Sequence, residues 1–229
     1  MAMDSADRAE FLAERRRTGP VRMDTLYAAG YDAGWGQVSE THHTFVQRLI
    51  DSTPEGGLLL DAACGTGKYW PQIRAAGRRV IGTDRSAGML AQARAKFPLV
   101  ETRQLDMEQL GGQADLAGRF DGLLCVDAME NIPPEDWPAI LTGFRAVVLP
   151  RSLIYITVEV PEAPDVRAAA NPKPPLVRGE VLWPDEHGGG YHFYPDDDQV
   201  GPWCEEADLA VVGSDTGGGY HHLLARTPD

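Results

Sequence analysis

The stretch LLLDAACGTGKYW, Leu58 to Trp70, decides how the chain folds. Three leucines run into Asp61, and small residues follow at Ala62, Ala63, Cys64, Gly65, Thr66 and Gly67. A continuous apolar run that ends in such a turn reads as a strand buried on both faces, as a parallel sheet requires. The small residues let the backbone come close to a ligand. GTGK invites the phosphate-loop pattern G-x-x-x-x-G-K-[ST]. Counting back from Gly67 puts Ala62 at the first glycine, and Tyr69 stands where the metal-binding hydroxyl belongs. Two of the four positions fail, so Lys68 reads as an ordinary residue at a helix N-terminus. The dinucleotide pattern G-x-G-x-x-G lacks its third glycine, and a carboxylate at the strand end repels a pyrophosphate. Asp61 suits a cationic ligand group instead.

On the C-terminal side of this loop the rhythm is strand and helix in turn. Gly67 to Ala76 reads as a helix, RRVIGTD as a second strand, and Ser86 as the cap of SAGMLAQARAKF. LVETRQLDM and GRFDGLLCVD give a third and a fourth strand. Pro133-Pro134 opens a helix, and SLIYITVEV is the fifth strand. Residues 161–190 are proline-rich and read as an irregular loop over the site. DDDQVGPWCEEADL then predicts a helix with Val200, Trp203 and Cys204 inward, and DLAVVGSD with GGYHHLLAR a closing pair of strands. On the N-terminal side, SADRAEFLAERRR predicts a helix that ends at Gly19-Pro20. MDTLYAAGYDAGWG is short and aromatic-rich. SETHHTFVQRLIDS is a helix capped by Ser39, with Phe45, Val46, Leu49 and Ile50 on its apolar face. The expected organisation is a helical cap over residues 1–55 and one α/β doubly wound, Rossmann-like domain over 56–229.

Bulk properties narrow the function. The formal charge of −13 argues against nucleic acid and against an anionic membrane surface, both of which call for basic patches. No run approaches the ~18 apolar residues of a membrane helix, and the opening MAMDSADRAEFLAERRR lacks the apolar segment of a secretory signal. Cys64, Cys125 and Cys204 lie far apart with no CxxC pair, which predicts free thiols in a cytoplasmic protein, with neither zinc nor disulfide. A monomer or a homodimer is expected.

Reading forward, Asp84 closes the second strand, where an acid can hold both ribose hydroxyls of a nucleoside. Asp106 follows the third strand, placed to accept from an adenine amino group with Met107 against the ring. CVDAMEN ends the fourth strand on the same edge of the sheet, where ligands of open α/β sheets bind. These residues describe a nucleoside site with a carboxylate for a cationic group and no phosphate grip, demands that S-adenosylmethionine meets.

Together DAACGTGKYW, VIGTDRSAGMLAQARAKF, LDMEQL, FDGLLCVDAMENIPPEDW and SLIYITVE resemble, in order from Leu58 to Glu159, a class I S-adenosylmethionine-dependent methyltransferase, above all the small bacterial members. The resemblance implies a seven-stranded sheet of order 3-2-1-4-5-7-6 whose last strand is antiparallel. It implies that Asp61, Ala63, Gly65 and Gly67 surround the methionine moiety and that Asp84 binds the ribose, with Ser86 and Met89 beside it. Asp106 and Met107 would frame the adenine, and Asp127, Ala128 and Asn131 would border the transferred methyl. Two departures stand out: Ala63 replaces the usual first glycine, and Pro150-Arg151-Ser152 replaces Pro-Gly-Gly before the fifth strand.

The acceptor side is read from position alone. Tyr31 and His42 in the N-terminal helices are candidates for donor or substrate contacts, and Tyr27 for substrate. Glu130 and Glu159 end strands on the functional edge, able to steer an amine or take a proton. EHGGGYHFYP offers His187, His192 and Tyr194, with strand alternation setting Tyr191 and Phe193 opposite His192 and Tyr194. His192, Glu130 and His42 are the candidates for a general base, which a hydroxyl or protonated amine acceptor needs. No histidine spacing supports a metal. The main expectation is methyl transfer to a small molecule in secondary metabolism. The alternatives are other sulfonium chemistry, a non-catalytic S-adenosylmethionine-binding protein and, last, a NAD-dependent oxidoreductase.

Overall fold

The computed structural model describes residues 5–160, 177–183 and 190–229. Strands β1 (Leu58–Ala62), β2 (Arg79–Asp84), β3 (Glu101–Gln104), β4 (Phe120–Cys125) and β5 (Val148–Glu159) form a parallel set. β6 (Glu180–Trp183) and β7 (Gly190–Phe193) make a separate hairpin, and β8 (Ala210–Gly217) and β9 (Tyr220–Arg226) complete the main sheet. Its order is β3-β2-β1-β4-β5-β9-β8, with β9 antiparallel to β5 and to β8. Leaving the small hairpin aside, this is the expected 3-2-1-4-5-7-6.

Both faces of the sheet are covered, which explains why β1 is buried at every position. Leu58, Leu60 and Ala62 pack toward α6 (Trp137–Val147) and α7 (Asp197–Glu206). Leu59 packs toward α3 (Glu40–Ser52), α4 (Trp70–Ala75) and α5 (Ala87–Lys96). Alternation along the strand then puts Asp61 on the Leu59 face, under the loop it precedes. Strand order reverses between β1 and β4, and the crevice at their carboxyl ends is where such sheets bind ligands.

The structure departs from the sequence reading in three places. Helix α1 runs unbroken from Ser5 to Arg22 through Pro20, then widens into a π-helical turn, Met23–Tyr27, before the short α2 (Tyr31–Trp35). Gly19 does not break the helix; it lies against the Arg85 guanidinium, which a side chain there would displace. The helix after the Gly-rich loop begins only at Trp70, because Gly67 sits at φ 78° and Pro71 sets the first turn. Within the span read as irregular, Glu180–Trp183 is a strand paired with Gly190–Phe193. His187 lies outside the described residues.

Arg151, one of the two departures from the family pattern, holds the left-handed φ of 62° that a glycine would take without strain. Its N–H donates to the Pro228 carbonyl at 2.9 Å, and Ser152 N–H donates to Thr227 Oγ1 at 3.0 Å, so pairing with the C-terminal segment fixes the turn.

Candidate active site

A cavity of about 600 Å³ opens at the carboxyl ends of β1 to β5, a size suited to enclosing a small ligand. Its floor is the loops after β1, β2, β3 and β4. The N-terminal segment supplies Arg15, Tyr27 and Tyr31, and the β7 side supplies Tyr191, His192 and Tyr194. The cap is tied down at both ends. Arg8 bridges Glu135 at 2.8 Å and Glu180 at 2.6 Å, and Tyr191 donates to the same Glu180 carboxylate. Asp24 accepts from Ser86 Oγ and from Gly88 N–H, while Asp32 takes Thr66 Oγ1 and Lys96.

Asp84 organises the end of the cavity beside β2. One carboxylate oxygen accepts from Gly65 N–H and the other from Ser86 N–H, each at 2.8 Å. Burial raises its pKa, and the two backbone donors oppose that rise. Each oxygen keeps a lone pair for a ligand hydroxyl. Ser86 caps α5 by accepting from Met89 N–H at 3.0 Å. Gly65 adopts φ 53°, and a Cβ there would come 3.1 Å from Met89 Cε, so the cradle is cut to a backbone without side chain. Ala63 holds the left-handed φ of 58° on the same loop. Asp106 and Met107 line the far end, where Asp106 caps a 3₁₀ turn and faces Arg85 at 3.6 Å.

Asp127 is the hub of the opposite end. It too sits at positive φ, 55°, with its N–H held by Thr157 Oγ1 at 2.9 Å. Its carboxylate receives Lys68 Nζ at 2.9 Å, Tyr69 OH at 3.2 Å and His42 Nε2 at 3.2 Å. Burial alone would raise its pKa; the His42 hydrogen bond and the Lys68 charge outweigh that and keep it below the usual range. His42, whose Nδ1 meets Ser39 Oγ at 2.7 Å, is buried behind Asp127 and forms no part of the cavity wall. Its Nε2 faces Asp127 and not the cavity.

Asp61 differs most from its expected part. It is 2% exposed, absent from the cavity wall, and accepts from Trp70 Nε1 at 2.7 Å. Burial first, with the Asp84 and Asp127 charges, pushes its carboxyl up to about 8 against the indole's opposing bond. It braces the loop from beneath through Trp70 and does not reach the cavity. Gly67 also lies off the wall; a side chain there would strike the Trp70 ring.

Glu130 lines the cavity and is almost wholly buried. Oε1 accepts from Asn131 Nδ2 at 3.1 Å, and Oε2 has no partner. Burial and then Asp127 raise its pKa well above the carboxylate range, which favours a protonated group that donates and disfavours the base expected from sequence. His192 Nδ1 lies 2.9 Å from Tyr194 OH and 3.0 Å from Glu159 Oε2, bringing three of the expected acceptor-side residues into one cluster on the wall. Ala128 and Asn131 line the cavity too. Sequence reasoning missed Lys68, Arg15, Tyr69 and Tyr220 as wall residues. Lys68 carried a signal, a cation directly after the loop, that rejecting the phosphate motif set aside. Among the described residues no group of His, Cys, Asp and Glu could hold a metal, and no helix is long and apolar enough to cross a membrane.

This sheet order, with a glycine cradle after β1 and an acid closing β2, defines a Rossmann-like α/β fold. Residues 59–151, less than half of the chain, match the family described as a methyltransferase domain. Over 67 residues it is 42% identical to malonyl-(acyl-carrier protein) O-methyltransferase of Yersinia pestis, a match covering 29% of this chain and 24% of that one. The chain spans less than half the length of the curated relatives it matches first. Among solved structures, magnesium protoporphyrin IX methyltransferase from Synechocystis with bound S-adenosylmethionine has a TM-score of 0.64 at 16% identity, covering 93% of this chain and 97% of that chain. Burkholderia thailandensis 1,6-didemethyltoxoflavin-N1-methyltransferase, with its acceptor and S-adenosylhomocysteine bound, has a TM-score of 0.65 at 18% identity, covering 93% and 90%. At these identities the structural likeness speaks for the fold.

Proposed function

We propose that this chain transfers a methyl group from S-adenosylmethionine to a small-molecule acceptor enclosed in the cavity. The observation that carries the reading is Asp84, whose carboxylate is fixed by Gly65 and Ser86 N–H at the carboxyl end of β2 and faces the cavity. The residues fit the donor. Gly65 leaves a side-chain-free cradle, Asp84 can take ribose hydroxyls, Asp106 and Met107 suit a base, and Lys68 suits the amino-acid carboxylate. The bound donor would supply an electrophilic methyl on a sulfonium. What the chain supplies is alignment and exclusion of water, which dominate an in-line displacement. Tyr31 and Tyr220 close the wall around that end; burial first, then Asp127, keeps both phenols protonated. The His192, Glu159 and Tyr194 cluster is placed to receive a proton from an acceptor hydroxyl or N–H. An enclosed site in an acidic chain favours a small acceptor over nucleic acid.

Calorimetric titration with S-adenosylhomocysteine, NAD and ATP tests the donor assignment. Binding of S-adenosylhomocysteine alone is expected, and binding of NAD alone would overturn it. Transfer of label from methyl-labelled donor to an extract of small metabolites tests the acceptor class.

A further inference from the structure

Arg15 differs from Arg8, Arg16 and Arg17 of α1. Arg8 pairs with Glu135 and Glu180, Arg16 with Asp136, and Arg17 with Glu14. Arg15 lines the cavity and has no carboxylate partner among the described residues, and its Nε is buried without an acceptor. Its guanidinium lies 5.5 Å from the centre of the Phe11 ring, which leans on Tyr191 at 6.1 Å. Of the other cations of the wall, Lys68 meets Asp127 and Arg85 meets Asp106, and Arg22 is not free either. An arginine held beside an aromatic surface with an unused N–H fork is suited to a planar anion.

We propose that Arg15 binds a carboxylate carried by the methyl acceptor, so that the substrates are apolar or aromatic acids. The inference rests on the methyltransferase reading for the word acceptor, and on Arg15 itself for the chemistry. The donor's own carboxylate is a poor match by position. Around Arg15, α1 is tied to Glu135, Asp136, Glu180 and Tyr191, whereas the Gly65–Lys68 loop is bridged by Asp32 of α2. A single negative charge also suits the surroundings better than a phosphate dianion, because Asp84, Asp127 and Glu159 share the wall.

The test is calorimetric titration of the whole chain, with and without saturating S-adenosylhomocysteine, using matched probes: propionate and propionamide, 3-phenylpropionate and 3-phenylpropionamide, 2-naphthoate and 2-naphthamide. At least one aromatic acid is expected to bind about tenfold or more tighter than its amide, the size of a charge-assisted pair. In Arg15→Gln the preference should fall below about threefold, and Arg15→Lys should keep part of it because charge stays while the fork is lost. S-adenosylhomocysteine affinity and the melting temperature should stay as in the parent. If no acid outbinds its amide, or Arg15→Gln keeps the preference, the proposal fails. If Arg15→Gln weakens S-adenosylhomocysteine and leaves the acid preference, Arg15 serves the donor and the proposal also fails. Failure of the parent to bind S-adenosylhomocysteine refutes the donor assignment, while the acid-to-amide ratio still judges Arg15.

Discussion

Replacing Asp61 by asparagine should stabilise the protein near neutral pH. The carboxyl is buried, faces the Trp70 indole at 2.7 Å and is pushed up to about 8 by burial and by the Asp84 and Asp127 charges. An unfolded chain releases that proton near its ordinary value of 3.8. The folded state therefore binds the extra proton, and this group's contribution is fully present below about pH 4 and is lost as pH rises through about 8. Holding the proton at pH 7, about three pH units above where the unfolded chain lets it go, costs roughly 4 kcal/mol. Asparagine keeps an oxygen for the indole N–H and carries no such cost. Asp61→Asn should thus gain up to about 4 kcal/mol at pH 7 and approach the parent near pH 4. Urea unfolding of both proteins at several pH values measures this, and S-adenosylhomocysteine affinity should change less than about threefold because Asp61 is off the cavity wall. A variant less stable than the parent at every pH, or one that loses donor affinity, would refute the argument and return Asp61 to the role of a charged ligand contact.

Asp84→Asn should lower S-adenosylhomocysteine affinity by about 10- to 100-fold, since one of the two N–H donors from Gly65 and Ser86 would then face an amide NH₂; unchanged affinity in a titration would contradict the site. Arg8→Ala removes the partner of Glu180, whose side chain is wholly buried, and should loosen the β6–β7 hairpin by about 3 kcal/mol. Faster amide exchange at Tyr191 and Phe193, with β1 unaffected, is the expected signature. Ser39→Ala should cost about 1 kcal/mol in thermal unfolding, because the hydroxyl both caps α3 and meets His42 Nδ1.

The sheet was legible because its signal is local and repeated: apolar runs, each ending in an acid or a small-residue turn, separated by capped helices. β1, β2 and α5 begin or end within a residue or two of where Leu58, Asp84 and Ser86 place them. The cap was harder. Pro20 is a sound reason to end a helix, but α1 is held from both sides by Arg8, Arg16 and Asp24, and tertiary ion pairs prevail over one missing N–H. Side-chain direction was hardest. That Asp61 turns to Trp70 and Arg15 into the cavity depends on which face of an element meets the core, and sequence spacing alone does not fix it at a single position.

The acids of the functional edge look alike in the sequence and are made different by their partners. Burial pushes the carboxyls of Asp61 and Glu130 up, the latter beside Asp127, while His42 and Lys68 share the Asp127 oxygens and hold its carboxyl below the usual range. Asp84 spends its oxygens on two backbone N–H groups. Ionised together, these four would repel one another and any anion that entered, and Asp61 and Glu130 would lose the desolvation contest outright. The rise at Glu130 lowers the negative charge of the wall, and the rise at Asp61 that of the core beneath it, without removing a polar contact. The cavity then tolerates a ribose-binding acid at one end and a carboxylate at Arg15 on the cap side, a combination that the formal charge of −13 conceals.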